Sequence, residues 1–271
     1  MKSRLLQALD ERVLFLDGAM GTMIHEADLP LSDFEDLENC CEILNVSRPD
    51  VIQDIHRGFY EAGSDMVETN TFGAMPHVLV EFVVRDRTEE INRAAVRNAR
   101  VVADELSTED KPRFVLGSMG PGTKLLTLGQ IEWDDLYASY HRQAKALLQD
   151  NPGNGIDGFL IETCQDLLQV KAAVNAIVDA QKELGLWETD DQVPTFVSIT
   201  IEQTGTMLVG ADIGAALVAI SELPVDCIGL NCATGPKEMT EHLQHLAKNS
   251  TKRISVYPNA GLPSLVEGKT V

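Results

Sequence analysis

Along the chain, short apolar runs bounded by turn residues alternate with longer stretches whose apolar positions repeat every three or four residues. The short runs fall at 13–16, 65–68, 114–117, 158–161, 195–199, 227–230 and 254–257, about seven candidate strands. Between them the helical repeat predicts helices from Pro49 to Ala62, Thr88 to Leu106, Trp133 to Gln149, Leu167 to Leu184, Ile213 to Leu223 and Lys237 to Lys248. Strand followed by helix, repeated, implies parallel strands joined by helical crossovers, in a doubly wound sheet or a closed barrel. Periodicity does not choose between the two.

The polar residues change that picture because they cluster just after the strands: Asp17, Thr69 and Asn70, Ser118, Glu162 and Thr163, Asn231 and Cys232, and Asn259. In a barrel those strand ends converge on one mouth, where active sites lie. The expected fold is therefore an α/β (β/α)₈ TIM barrel, truncated after about seven strands, with exposed sheet edges on the first and seventh. No internal repeat beyond this alternation and no linker divides the 271 residues, so one domain is expected.

Composition narrows the function. With 44% hydrophobic and 24% charged residues the chain can bury a sizeable core. Its formal charge of −20 repels phosphate backbones and anionic lipid, which argues against nucleic acid and membrane surfaces as partners. No run approaches the roughly 20 apolar residues of a bilayer span, and the first residues lack a signal-peptide core. Five cysteines without a disulfide framework suggest reduced thiols and a cytoplasmic location, with some free to bind metal.

Several short motifs could carry chemistry. Asp17-Gly18-Ala19-Met20-Gly21-Thr22 would let backbone amides approach a ligand, or form a tight turn capped by Asp17. Gly117 to Lys124 is composed like a phosphate cradle but lacks Walker A spacing, which makes nucleotide binding a poor reading. Glu162, at a strand end, could pair with a substrate ammonium, since only such a partner offsets the cost of burying it; a capping role shared with Asp166 is the plainer alternative. Cys232 follows a strand in a Gly- and Asn-bearing loop where a thiolate would face the mouth, whereas Cys164 and Cys227 read as small buried hydrophobes. The pair Cys40-Cys41 could ligate metal but reads more simply as a cap or packing position, and His56 reads as a packed helix residue.

Together, DGAMGT at 17–22, ETNTFG at 68–73, GSMGPGTK at 117–124, IETCQDLLQVKAA at 161–173, GLNCATGP at 229–236 and YPNAGLP at 257–263 resemble the homocysteine S-methyltransferase family. The likeness covers essentially the whole chain, and within the family it is greatest to the N-terminal homocysteine-binding module of the cobalamin-dependent methionine synthases. That resemblance implies a (β/α)₈ barrel with zinc at its mouth on three thiolates. Cys232 matches the first; the other two belong to an adjacent Cys-Cys pair after the eighth strand, which this sequence does not reach. Asn259 matches a residue that can complete the metal's coordination. Asp17 and Glu162 match positions that hold the substrate amino group, and the amides around Gly21 and Thr22 match those that receive its carboxylate.

The implied reaction is methyl transfer to the homocysteine thiol, giving methionine. Zinc would activate that thiol, whose ordinary pKa of roughly 8.5 leaves it mostly protonated at neutral pH. No catalytic side chain is expected beyond the metal-activated substrate thiol. The implied donor is methylcobalamin on another module, recharged by 5-methyltetrahydrofolate, so cobalamin- and folate-binding modules of a full enzyme are the expected partners. Residues 1–271 would form a C-terminally incomplete homocysteine-binding domain with an incomplete zinc site. A metal-free, catalytically silent amino-acid-binding or interaction module is one alternative. A homocysteine methyltransferase using betaine or S-methylmethionine is another, disfavoured by the IETCQDLLQ and GPGTK motifs.

Overall fold

The computed structural model describes residues 3–148, 155–260, 265–266 and 269–270. Gln149, the expected last residue of one helix, and residues 261–263 of the YPNAGLP motif lie outside them.

Six parallel strands form one sheet: β1 (Met66–Glu68), β2 (Phe114–Met119), β3 (Gly158–Cys164), β4 (Thr195–Ile199), β5 (Cys227–Asn231) and β6 (Arg253–Tyr257). Their spatial order equals their sequence order, the hallmark of a sheet curling toward a barrel rather than a doubly wound one. Helices alternate with them: α1 (Arg4–Glu11), α2 (Met20–Glu26), α3 (Leu44–Ser47), α4 (Pro49–Ala62), α5 (Pro76–Leu79), α6 (Thr88–Leu106), α7 (Trp133–Leu148), α8 (Leu167–Glu183), α9 (Ile213–Ser221) and α10 (Pro236–Asn249). The result is a curled half-barrel, open among the described residues between β1 and β6. A separate antiparallel pair, β7 (Leu265–Val266) and β8 (Lys269–Thr270), follows.

The expected first strand at 13–16 is not a strand. Its backbone runs beside β1, but the carbonyl of Phe15 accepts from both Asp65 N (2.7 Å) and Met66 N (3.1 Å), while Phe15 N donates to the Asp65 carboxylate (2.9 Å). A side chain thus takes the place of a ladder acceptor, and the alternating backbone exchange that defines a strand does not form. Arg12 clamps the same carboxylate with two bonds of 2.8 Å, fixing the entry of the segment that carries Asp17.

Because side chains alternate across a strand, each strand has two fates. Val67, Val115, Phe159, Ile161, Val197, Ile199, Ile228 and Leu230 face outward into one large cluster with the helices. Met66, Phe114, Leu116, Leu160, Phe196 and Cys227 face inward and meet Leu5 of α1 and Leu14 in a second cluster. Leu5, 1% exposed, plugs the floor of the half-barrel, and burying such a side chain is worth about 1.5–3 kcal/mol. Gly158 lets it in: a Cβ there would lie 2.9 Å from Leu116 Cδ2 and 3.0 Å from Leu5 Cδ2. Above this apolar layer the inward positions turn polar.

Candidate active site

Further along the same inward rows, toward the C-terminal strand ends, the positions are Glu68, Ser118, Glu162, Ser198, Asn231 and Tyr257. They form a polar layer at the C-terminal mouth, resting on the apolar floor. Asp17 joins it from the segment before α2: both its carboxylate oxygens accept from the amide of Glu68 at 3.1 Å. Glu162 is 6% exposed and accepts from the Ser118 hydroxyl.

Three carboxyls therefore share one small volume, with consequences for their protons. Burial holds the carboxyl of Asp17 well above its ordinary value, aided by the charge of Glu162 and opposed by the Glu68 amide. Burial, then the charges of Glu162 and Asp17 and a hydrogen bond to Glu162, do the same to Glu68. Glu162 is raised by burial too, but the Ser118 hydroxyl and Glu68 pull it back. Both carboxyls are thus biased toward protonation, and their closeness keeps them from ionising together. No described cation offsets this cluster, so an entering ammonium would find both charge and acceptors waiting.

On the neighbouring strand Asn231, fully buried, ties the thiol to the same layer. Its Oδ1 accepts from Thr163 N (3.0 Å) and Ser198 Oγ (2.7 Å), and its Nδ2 donates to Thr163 Oγ1 (2.8 Å) and Cys232 Sγ (3.2 Å). Thr163, Cys232 and Ala233 have left-handed backbones, with φ of 56°, 57° and 54°. Non-glycine residues resist that region, and such strain collects at functional sites. The turn at Thr163 coincides with a register shift between Ile161 and Cys164, which sends Cys164 outward into the core. Burial, with the charge of Glu162, raises the Cys232 thiol above its ordinary value, so alone it stays protonated.

The structure brings Asp17, Glu162 and Cys232 to one mouth. Asn259 arrives beside them through its backbone, whose N–H donates to Thr234 O at 3.2 Å. Gly21 and Thr22 occupy the first turn of α2, where amides lack intrahelical acceptors, but no hydrogen bond among the described residues links them to the carboxylates. Capping falls to Asp166 alone, which accepts from Leu168 N at 2.9 Å, leaving Glu162 free of that role. Cys40 packs with Ile43, Ala74, Leu79 and Ile91, and burial pushes the thiols of Cys40 and Cys41 up to about 12 and about 11. His56 is likewise buried and neutral, its imidazole pushed down to about 4 by burial.

Sequence reasoning passed over Glu68 and Tyr257. Both lay inside quoted motifs, and the inward parity shared with Glu162 was the available signal. The Tyr257 hydroxyl is buried in the same layer, and burial, then the charge of Glu162, holds its proton on.

Among the described residues no group of three or more His, Cys, Asp or Glu side chains could hold a metal. One thiol and one carboxamide fall short of the about four donors zinc takes, so the described residues alone do not fit it. No helix among them is long and apolar enough to cross a membrane.

Comparison with known proteins places the chain in a family and gives its fold. The profile of the homocysteine S-methyltransferase family matches residues 14–271. Methionine synthases of Mycobacterium leprae (strain TN) and Mycobacterium tuberculosis (strain ATCC 25618 / H37Rv) are each 51% identical over 261 residues, 96% of this chain. The chain spans only 21% of the length of those relatives. Among solved structures, the homocysteine methyltransferase MmuM of Escherichia coli in its metallated form superposes with a TM-score of 0.74 at 21% identity, covering 95% of this chain and 87% of that one. Its oxidised form gives 0.74 at 20% identity, over 94% and 85%. At that identity the likeness establishes the fold.

Proposed function

This chain belongs to the homocysteine S-methyltransferase family, and from that membership we propose that residues 1–271 form the homocysteine-binding module of a methionine-synthase-type methyltransferase. The observation that carries the proposal is the meeting of three carboxyls and one thiol at the mouth of the half-barrel. Homocysteine has an ammonium at one end and a thiol at the other. The ammonium enters among Asp17, Glu68 and Glu162, displacing a proton, and the thiol is thereby directed toward Cys232. The amides of Gly21 and Thr22 are assigned to the substrate carboxylate. Asn231 fixes the Cys232 sulfur, and the apolar floor beneath keeps water from reaching the carboxylates from below.

The reaction asked of the bound substrate is attack of its sulfur on a methyl group, with loss of the thiol proton, giving methionine. In a completed site, which the described residues alone do not make, zinc would supply the charge that keeps a thiol ionised. Cys232 is the described side chain suited to contribute one thiolate, and Asn259 is assigned beside it. Methylcobalamin on a separate module, recharged by 5-methyltetrahydrofolate, is proposed as donor in a full-length enzyme, of which the chain's share of its relatives leaves ample room. A cytoplasmic location belongs to the same reading, consistent with five free cysteines.

The single-thiol mouth favours one further reading, an amino-acid-binding module that does no chemistry alone. Calorimetric titration with L-homocysteine tests the shared core of both: saturable binding is expected, weakened at least about tenfold by Glu162→Gln. Absence of binding, or binding indifferent to that substitution, removes the proposal. Zinc content of the purified chain, with and without homocysteine, separates the two readings.

A further inference from the structure

Outside this mouth, the loop after β2 and the start of α7 enclose a cavity of about 520 Å³ whose lining includes none of the residues above. That volume lies in the range of about 300–1,000 Å³ typical of small-molecule sites. Val80 and Ile131 supply apolar wall, and Arg85, Lys124 and Arg142 supply charge.

Those cations stand out in a chain of net charge −20. Arg12, Arg48, Arg57, Arg87, Arg100 and Arg253 each hold a carboxylate within an ion pair. The head groups of Arg85 and Lys124 hold none among the described residues, although Glu132 and Asp135 line the same cavity. Both acids are exposed and solvated. Arg142 is anchored by Glu89 through Nε and Nη2 (2.5 and 2.6 Å), which leaves Nη1 over.

His77 adds a buried polar group. It is 8% exposed and lines the cavity, and its Nε2 has no partner among the described residues. Ser139 Oγ accepts from His77 N (3.1 Å) and lies 2.8 Å from Nδ1. Donating the hydroxyl's one proton to Nδ1 satisfies both groups and puts the ring proton on Nε2. Burial, then the charge of Lys124, pushes the imidazole down to about 4, so at neutral pH it is an uncharged donor. The Gly122 backbone (φ 71°) passes so close that a Cβ there would fall 2.0 Å from Nε2. The glycine that the GPGTK run needs is thus explained by this wall, and Lys124 of the same run is delivered to the cavity.

We propose that this cavity binds a small molecule carrying two or more carboxylate or phosphate groups, held by Arg85, Lys124 and the free edge of Arg142, with its body against Val80 and Ile131. Multivalency follows from cations contributed by three separate segments, and an apolar wall disfavours a bare ion. The site is independent of homocysteine binding.

The test is calorimetric titration of the chain at low ionic strength with two probes, inorganic pyrophosphate and citrate. Saturable one-to-one binding of at least one is expected, and the stronger arm tells phosphate from carboxylate recognition. The double variant Arg85→Gln/Lys124→Gln, checked for folding by circular dichroism, is expected to weaken it at least about tenfold. Arg57→Gln, which removes an equal kind of charge from α4, is expected to leave it unchanged. Neither probe saturating at about 10 mM, binding that survives the double variant, or equal weakening by Arg57→Gln overturns the proposal.

Discussion

Glu68 shows how much a single side chain decides here. Burial and the charges of Glu162 and Asp17 hold its carboxyl well above the ordinary value, and its amide anchors Asp17. Raised carboxyl values in the folded state mean that folding holds protons which the unfolded chain releases. Stability from these groups is therefore present below the ordinary carboxylate range and is lost as pH rises toward the folded values. Glu68→Gln is expected to raise the melting temperature at pH 8 by roughly 2–4 °C, the shift that about 1 kcal/mol gives in a domain of this size. Near pH 4 the variant and parent should melt together. Homocysteine affinity should fall in the same variant, and thermal melts at the two pH values with one titration check all three outcomes. Asp17, Glu162 and Cys232 were visible in the sequence because a charged or sulfur-bearing residue ending an apolar run is conspicuous. Glu68 was passed over because the run 65–68 counted it inside the strand while polar candidates were sought just after it, at Thr69 and Asn70, and Tyr257 by its resemblance to core. The partners that aim Cys232, Asn231 and Thr163, are separated by 68 positions and meet only in the fold.

Among the elements, those with a long repeat were read almost to the residue: α4 and α6 have the expected bounds, because helical periodicity over many residues averages out local ambiguity. The strands β2 to β5 were also legible, as apolar runs buried on both faces, and β6 as an apolar run whose outer face is partly exposed. The segment 13–16 was misread, since its apolar run carries no trace of the Asp65 side chain that replaces a ladder partner. Asp65 is the joint of that segment. Burial alone would raise its carboxyl, but hydrogen bonds from Arg12 and Phe15 N outweigh this and hold it low. Its contribution is therefore full above the ordinary carboxylate value and lost as pH falls through the lowered one. Asp65→Ala is expected to cost about 2–3 kcal/mol, less than a fully buried pair because the Arg12 side chain is 42% exposed. Urea unfolding measures that cost. Because the freed segment carries Asp17, homocysteine binding should weaken as well, which a purely local loss of stability would not cause.

Taken whole, the molecule keeps an apolar face in water. Ile254 and Val256 on the outer side of β6 are 36% and 41% exposed, and Val13 and Phe15 are 77% and 66% exposed. Beside an edge of β6 that no described strand pairs with, such side chains invite strand-to-strand pairing. Sedimentation velocity of the isolated chain should show concentration-dependent association, reduced by Val256→Lys, which places a charge on that face. Mass independent of concentration would show that the charge of −20 suffices to keep copies apart.

The two-residue repeat that sorts each strand into a helix-facing and an inward row also limits how such a chain can change over generations. A single residue gained or lost inside Gly158–Cys164 would exchange Ile161 for Glu162, driving an acid into the packed helices and an aliphatic chain into the pocket. Drift in length is then tolerable only in the connections beyond the strand ends, and the spacing of the polar row behaves as a ruler that related sequences must share.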